Sequence, residues 1–233
     1  MKVFAIGDLH LSLSSDKPMD IFGENWAGHF ERICSAWNAL VCAEDIVLVP
    51  GDISWAMRLQ EAMVDIRAIG GFTGRKVLSR GNHDYWWNSI ARLRGELPAN
   101  MYAIQNDALR FDGLTIAASR GWVCLGSAGF DGQNDARLYE REVLRAELSL
   151  TQAKALHTGG KLIFMLHYPP MNEKRQPSGF TELFERYGVD EVVYGHLHGR
   201  ATRSAFEGVQ NGVRYTLCSA DHLDFAPKLI AEL

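Results

Sequence analysis

Apolar residues in this chain gather in short runs that alternate with longer stretches of helical periodicity. Lys2 to Ile6 is a β-type run ending at Gly7, and Asp45 to Val49 is another, stopped by Pro50 and Gly51. Between them, Trp26 to Cys42 carries Phe30, Ile33, Trp37 and Val41 at spacings of three and four, as one face of a helix requires. The combination predicts a βαβ unit. It repeats with a helix over Leu59 to Ile69, a stop at Gly70 and Gly71, and a strand over Lys76 to Leu78.

The pattern then changes. Asp112 and Gly113 separate two apolar runs within Leu109 to Ala118, which predicts a β-hairpin and brings in antiparallel pairing. A long helix is expected from about Asp135 to Leu156, capped by Asn134 or Asp135 and crossing back over the sheet. Lys161 to Leu166 is an apolar strand ended by His167 and a Pro-Pro stop, and Val192 to Tyr194 is another, ended by Gly195. A last hairpin spans Arg203 to Ser219 and turns at Asn211 and Gly212. There is no linker, low-complexity tract or internal repeat. The expected fold class is α/β, a layered β-sandwich of mixed sheets flanked by helices, in a single domain over residues 1–233.

Composition narrows the functions such a domain could serve. With 47% hydrophobic and 22% charged residues the chain has the balance of a folded globular protein. A net charge of -4 supplies no general field for nucleic acid, which disfavours that partner, although Arg137, Arg141 and Arg145 could form a local patch. Cys34, Cys42, Cys124 and Cys218 form no CxxC pair, so reduced thiols are expected. Met1 to Leu9 lacks the apolar length of a signal peptide, and no later run is long enough to span a membrane. A cytoplasmic protein without membrane attachment is expected.

The polar residues with metal-binding chemistry are not scattered. Asp8 and His10, Asp52, Asn82 and His83, His167, and His196 with His198 each follow a predicted strand directly. In open α/β sheets the loops at strand carboxyl ends border a common crevice, so these five segments should converge. Carboxylates together with imidazoles suit manganese, iron or zinc better than calcium. Even seven ligands from this set of eight exceed the needs of one ion and suggest two ions sharing a bridge, for which Asp52 is the natural candidate. Gly51, Gly81 and Gly195 fit either plain turn glycines or turns that make room for such a site. His29 and His157 have no comparable pattern, and His222, beside Asp221, is expected to stabilise its loop.

In order, the chain carries D-x-H (Asp8 to His10), G-D (Gly51-Asp52), G-N-H-D (Gly81 to Asp84), a lone histidine (His167) and G-H-x-H (Gly195 to His198). It resembles the calcineurin-like metallophosphoesterase superfamily, with no ligand position of the pattern missing. The resemblance implies that Asp8, His10 and His198 hold one ion and Asn82, His167 and His196 the other, with Asp52 shared. It also implies that His83 sits beside the substrate as a catalytic acid, with Asp84 accepting its other ring proton and favouring the imidazolium. Arg80 resembles an arginine that contacts phosphate in the protein phosphatase branch, and Asn82 and Arg80 are the expected substrate-binding residues. Tyr85-Trp86-Trp87 and Arg120-Gly121-Trp122 offer aromatic surface near the same rim, for packing or for stacking on a substrate.

The implied activity is hydrolysis of a phosphoester. Two cations roughly 3.5 to 4 Å apart lower the pKa of a shared water, and the resulting bridging hydroxide attacks phosphorus in line. The motifs do not separate a phosphodiesterase from a phosphomonoesterase; compact length and the lack of basic character favour a small-molecule or generic phosphoester, and the reading leans to a phosphodiester of a small molecule or nucleotide. A phosphomonoesterase acting on a protein or metabolite, or a non-catalytic metal-binding interaction scaffold, are the alternatives. Manganese is the first expected cofactor, with iron or zinc next.

Overall fold

A computed structural model describes residues 1–15, 17 and 19–233. The first half of the chain builds one sheet from β1 (Lys2–Ala5), β2 (Ile46–Pro50), β3 (Arg75–Ser79) and β4 (Met101–Ile104), joined by α1 (His29–Leu40), α2 (Leu59–Gly70) and α3 (Ile90–Glu96). The second half builds another from β5 (Ala108–Phe111), β6 (Leu114–Ser119), β7 (Lys161–Leu166), β8 (Glu191–Tyr194), β9 (Gly208–Gln210) and β10 (Val213–Leu217), with α4 (Asp135–Leu156) and α5 (Gly179–Tyr187). The carboxyl-terminal strand β11 (Lys228–Glu232) returns to the first sheet and pairs antiparallel with β1.

The strand orders are β11-β1-β2-β3-β4 and β5-β6-β7-β8-β10-β9. Pairing is parallel in the interior of both sheets and antiparallel at β11, β5 and β9. Both sheets are mixed, with antiparallel strands at every edge except β4, which pairs parallel with β3, and the expected α/β sandwich is the observed one.

Both faces of each sheet are buried, which explains the near-continuous apolar runs. Along β1 and β2, Val3, Ala5, Ile46 and Leu48 point between the sheets, while Phe4, Val47 and Val49 pack under α1 and α2. Ile163 and Met165 of β7 share the inter-sheet layer, and Leu162, Phe164 and Leu166 lie under α4 and α5. The order is helix, sheet, sheet, helix. At their carboxyl ends the sheets touch directly: the Gly7 amide donates to the Cys218 carbonyl at 2.6 Å, and Gly7 bridges Ser219.

The Asp112-Gly113 and Asn211-Gly212 hairpins form where the turn residues place them. The first helix begins later than its periodicity suggests. Trp26 lies in a short 3-10 turn, Glu24–Trp26, and Gly28 takes a left-handed conformation (φ 61°) just before α1. The last hairpin is also shorter than expected, because Gly199–Ser204 forms a 3-10 helix instead of extending the strand.

Candidate metal centre

The loops that leave β1, β2, β3, β7 and β8 deliver their polar residues to one end of the sandwich. Asp8, His10 and His198 offer ligand atoms within 4.8 Å of one another, as do Asp8, Asp52 and His167. Asn82 joins the second group: its Oδ1 lies 2.7 Å from His167 Nε2 and 2.9 Å from His196 Nδ1. His10 Nε2 and His198 Nε2 face each other at 3.2 Å. Asp52 Oδ2 stands 3.8 Å from His10 Nε2 and 3.5 Å from His167 Nε2, between the two groups. All seven residues that the motifs single out as ligands are brought together.

The backbone is forced to make this possible. Asp8, His10, Asp52 and His196 all occupy the left-handed region, at φ 54°, 47°, 51° and 73°. Non-glycine residues rarely do so, and such conformations concentrate at functional sites. Gly81 and Gly195 are needed for a different reason: a Cβ on Gly81 would collide with Asp52 Oδ1, and one on Gly195 with Asp8 Oδ2. The glycines of the motifs clear space for the carboxylates.

The electrostatics fit cations. Burial, and next the charge of Asp8, raises the Asp52 carboxyl well above the usual carboxylate range. Burial opposes ionisation of Asp8 too, but hydrogen bonding and charge from His198, with His167 and His10, hold it below that range. Two carboxylates this close resist joint ionisation unless positive charge is supplied. Burial lowers His10 and His167 and pushes His196 down to about 3, so these rings are neutral and have a lone pair to give. His198 differs. Burial is outweighed by its hydrogen bonds to Asp221 and Asp8, and it is pushed up to about 10.

Ring orientation is fixed from behind. His167 Nδ1 contacts the Pro50 carbonyl at 3.0 Å, and His198 Nδ1 contacts Asp221 Oδ1 at 2.8 Å, an arrangement typical of metal-binding histidines. Asp221 escaped the sequence motifs, although its place just after β10 matched the rule that located the others. Its neighbour His222 turns away and pairs with Glu207 at 3.1 Å.

Two expectations for the G-N-H-D segment need correction. Asp84 does not touch the His83 ring. Its carboxylate is fully buried and accepts backbone N–H groups of Asp52, Ile53, Ser54 and Gly81 at 2.8 to 3.3 Å, and the Trp86 indole N–H at 3.1 Å. Asp84 therefore knits the β2 and β3 loops together and is no proton partner for His83. Nor is the His83 imidazolium favoured: burial, followed by repulsion from His167, lowers its pKa, and its Nδ1 has no partner among the described residues.

Beside His10, His83 and His198 opens a cleft of about 480 Å³ walled by Met19, Trp26 and Trp55. Trp55 stacks on His10 at 4.7 Å, and Lys17 Nζ stands 4.0 Å over the Trp55 ring. A smaller hollow of about 130 Å³ borders His196 and Tyr168 on another side. Of the two uses open to Trp86 and Trp87, packing is the observed one: both are buried at 1% exposure and belong to the core. Trp122 packs against the second core and donates to Asp135 at 2.9 Å. Arg80 lines neither cleft and faces a separate small cavity.

The comparisons agree with this geometry. The family model described as calcineurin-like phosphoesterase matches residues 1–200. Among solved structures, a protein of unknown function from Aquifex aeolicus is 16% identical, with TM-score 0.52 over 98% of this chain and 95% of that one. A structure titled phosphopantetheinyl hydrolase from Mycobacterium tuberculosis is 14% identical, with TM-score 0.55 over 100% and 96%. At such identity the likeness concerns the fold. No curated protein matches the chain.

Proposed function

Since the chain belongs to the calcineurin-like phosphoesterase family, we propose that it hydrolyses a phosphodiester of a small molecule or nucleotide, using two divalent cations with manganese the first choice. The observation that carries this reading is the convergence of seven oxygen and nitrogen donors from five strand ends, with Asp52 Oδ2 between the two histidine groups. Asp8, His10 and His198 would hold one cation, Asn82, His167 and His196 the other, and Asp52 both. Bound there, the pair supplies Lewis acidity toward phosphate oxygens and makes water nucleophilic near neutral pH. The neutral state of His10, His167 and His196 keeps their lone pairs ready, and the hydrogen bonds behind His167 and His198 hold those rings in register.

The diester preference rests on the walls around the ligands. A monoester carries more negative charge and one substituent, whereas a diester carries less charge and two. The cleft of Met19, Trp26 and Trp55 suits a flat or apolar substituent, and the hollow beside His196 and Tyr168 suits the second. Lys17 over Trp55 and Arg175 over Phe206 stand at the margins of the two clefts, but the residues that line them include no lysine or arginine among the described residues. His83 borders the larger cleft and is placed to stabilise a leaving oxygen by donating a ring N–H from its neutral imidazole. The cytoplasm is the setting proposed with this activity; no helix of the described residues is long and apolar enough to cross a membrane.

The test is hydrolysis of bis-p-nitrophenyl phosphate and p-nitrophenyl phosphate by metal-stripped protein, before and after adding manganese, zinc or iron separately. Metal-restored turnover with the diester ahead is expected, with manganese most effective. Preferential monoester turnover would transfer the proposal to a phosphatase, and silence with both substrates in protein shown to bind no metal would sink the catalytic reading.

A further inference from the structure

The carboxyl ends of β3 and β6, one in each sheet, carry the same tripeptide: Ser79-Arg80-Gly81 and Ser119-Arg120-Gly121. The two copies meet at the seam between the sheets. Ser79 and Ser119 are 1% and 3% exposed, and neither hydroxyl has a hydrogen-bond partner among the described residues. The Nε atoms of Arg80 and Arg120 are likewise buried and without a hydrogen-bond partner among the described residues. These four residues line one narrow cavity of about 30 Å³, together with Glu142 and Arg145. That is room for a water molecule or an ion of similar size.

The charge balance distinguishes between those occupants. Glu142 is the carboxylate of the cavity, and a single oxygen, Oε1, already faces Arg120 at 3.3 Å, Arg141 at 3.4 Å and Arg145 at 2.7 Å. Arg80 has no ion pair or hydrogen bond from its guanidinium among the described residues. Three guanidinium groups and one carboxylate thus line this space, with the amides of Gln105 and Asn106 at its margin, and four buried donor-bearing atoms of the lining residues have no hydrogen-bond partner among the described residues. Buried polar groups in native proteins are nearly always satisfied, and a cluster of orphans indicates an occupant. Water could serve the hydroxyls but would leave the excess positive charge in place.

From this arrangement we propose that the cavity binds a small inorganic anion of halide size, chloride being the available one. The anion accepts from both serine hydroxyls and both arginine Nε groups, and so ties the end of β3 to the end of β6. Its position gives it leverage on the metal centre. The Arg120 carbonyl accepts the N–H groups of His167 and Tyr168 at 3.1 Å each, and Arg80 directly precedes the segment that carries Asn82 and His83. This proposal stands independently of which phosphoester the protein hydrolyses.

The decisive experiment pairs crystals grown in bromide with melting curves of the whole protein in sodium chloride and in sodium gluconate at equal ionic strength, gluconate being too large to enter. A bromide anomalous peak within the cavity is expected, with a saturable rise of Tm in chloride that disappears in the Ser79→Ala/Ser119→Ala double variant. Bromide confined to the outer surface, or ordered water in the cavity, overturns the proposal. So does a wild-type Tm that is the same in chloride and gluconate. If the double variant fails to fold, the wild-type peak and melting difference still decide the matter.

Discussion

The carboxylate of Asp221 stands 2.8 Å from Nδ1 of His198 and also accepts the Gly199 N–H at 2.9 Å. Its side chain is nearly inaccessible, at 2% exposure. The pairing turns the other ring nitrogen, Nε2, toward His10 and Asp8. A carboxylate behind a metal-binding histidine fixes ring orientation and raises basicity, and its loss commonly lowers affinity by about 10- to 100-fold. Asp221→Asn should weaken manganese or zinc binding by that order in a competition titration. Affinity equal to wild type would show that Asp221 only holds its loop.

Asp84 provides a contrasting prediction, since its role is architectural. Every group facing its two oxygens is a donor, so Asp84→Asn would point an amide N–H at other N–H groups. Each buried donor left unsatisfied costs about 1–3 kcal/mol. Urea denaturation of the metal-free variant should therefore show a stability loss of about 3 kcal/mol. A variant as stable as wild type but slow in turnover would return Asp84 to a role beside His83.

How much of this was legible in sequence depends on the range of the forces involved. The strand-end ligands Asp8, Asp52, Asn82, His167 and His196 could be placed because a buried strand and its glycine stop are local patterns. Strands β4 and β11 and helices α3 and α5 escaped because they are short or partly exposed, and distant partners define them. Trp26 and Trp55 were not recognised as cleft walls, while Trp86 and Trp87 drew attention through adjacency alone. Periodicity does not show which side of a loop an indole will face. The partner of Asp84 was misassigned for the same reason, since its acceptors are filled by backbone from the β2 loop, some thirty residues upstream.

The cleft makes a kinetic prediction. Trp55 stacks on His10 at 4.7 Å and lies 4.5 Å from the His83 ring. An aromatic wall contributes about 0.5–1.5 kcal/mol beyond its buried area. Trp55→Leu should raise KM for bis-p-nitrophenyl phosphate up to about tenfold and change kcat less. An unchanged KM with depressed kcat would indicate that Trp55 supports the histidines and does not meet the substrate.

Glu191 gives a pH-dependent test away from the centre. Burial raises its carboxyl pKa, and the hydrogen bond from Thr216, at 2.8 Å, offsets only part of that. The folded protein therefore holds this proton more tightly than the unfolded chain, whose reference value is 4.5. As pH rises above 4.5, the unfolded chain ionises first and the fold loses stability. Glu191→Gln removes that loss and keeps an acceptor for Thr216. The variant should melt above wild type near neutral pH, with the gap closing as pH falls to 4.5 and below. A gap independent of pH in scanning calorimetry would refute the linkage.

Asp52 and His83 separate metal binding from chemistry most sharply. Asp52 Oδ2 faces His10 and His167, while its Oδ1 accepts the His83 backbone N–H at 2.8 Å. Asp52→Asn removes a charge that both metal groups share but leaves an oxygen for that N–H. It should lower both metal content and turnover with little unfolding. His83 belongs to the cleft wall, and its ring makes no hydrogen bond that holds the ligands among the described residues. His83→Ala should therefore retain its metals while turnover falls by about 10²–10³-fold, the usual cost of removing one hydrogen-bond donor to a developing oxyanion. Metal analysis alongside turnover distinguishes the two variants. Full metal-dependent activity in metal-replete Asp52→Asn protein would remove Asp52 from the shared position, and metal loss in His83→Ala would make His83 a ligand.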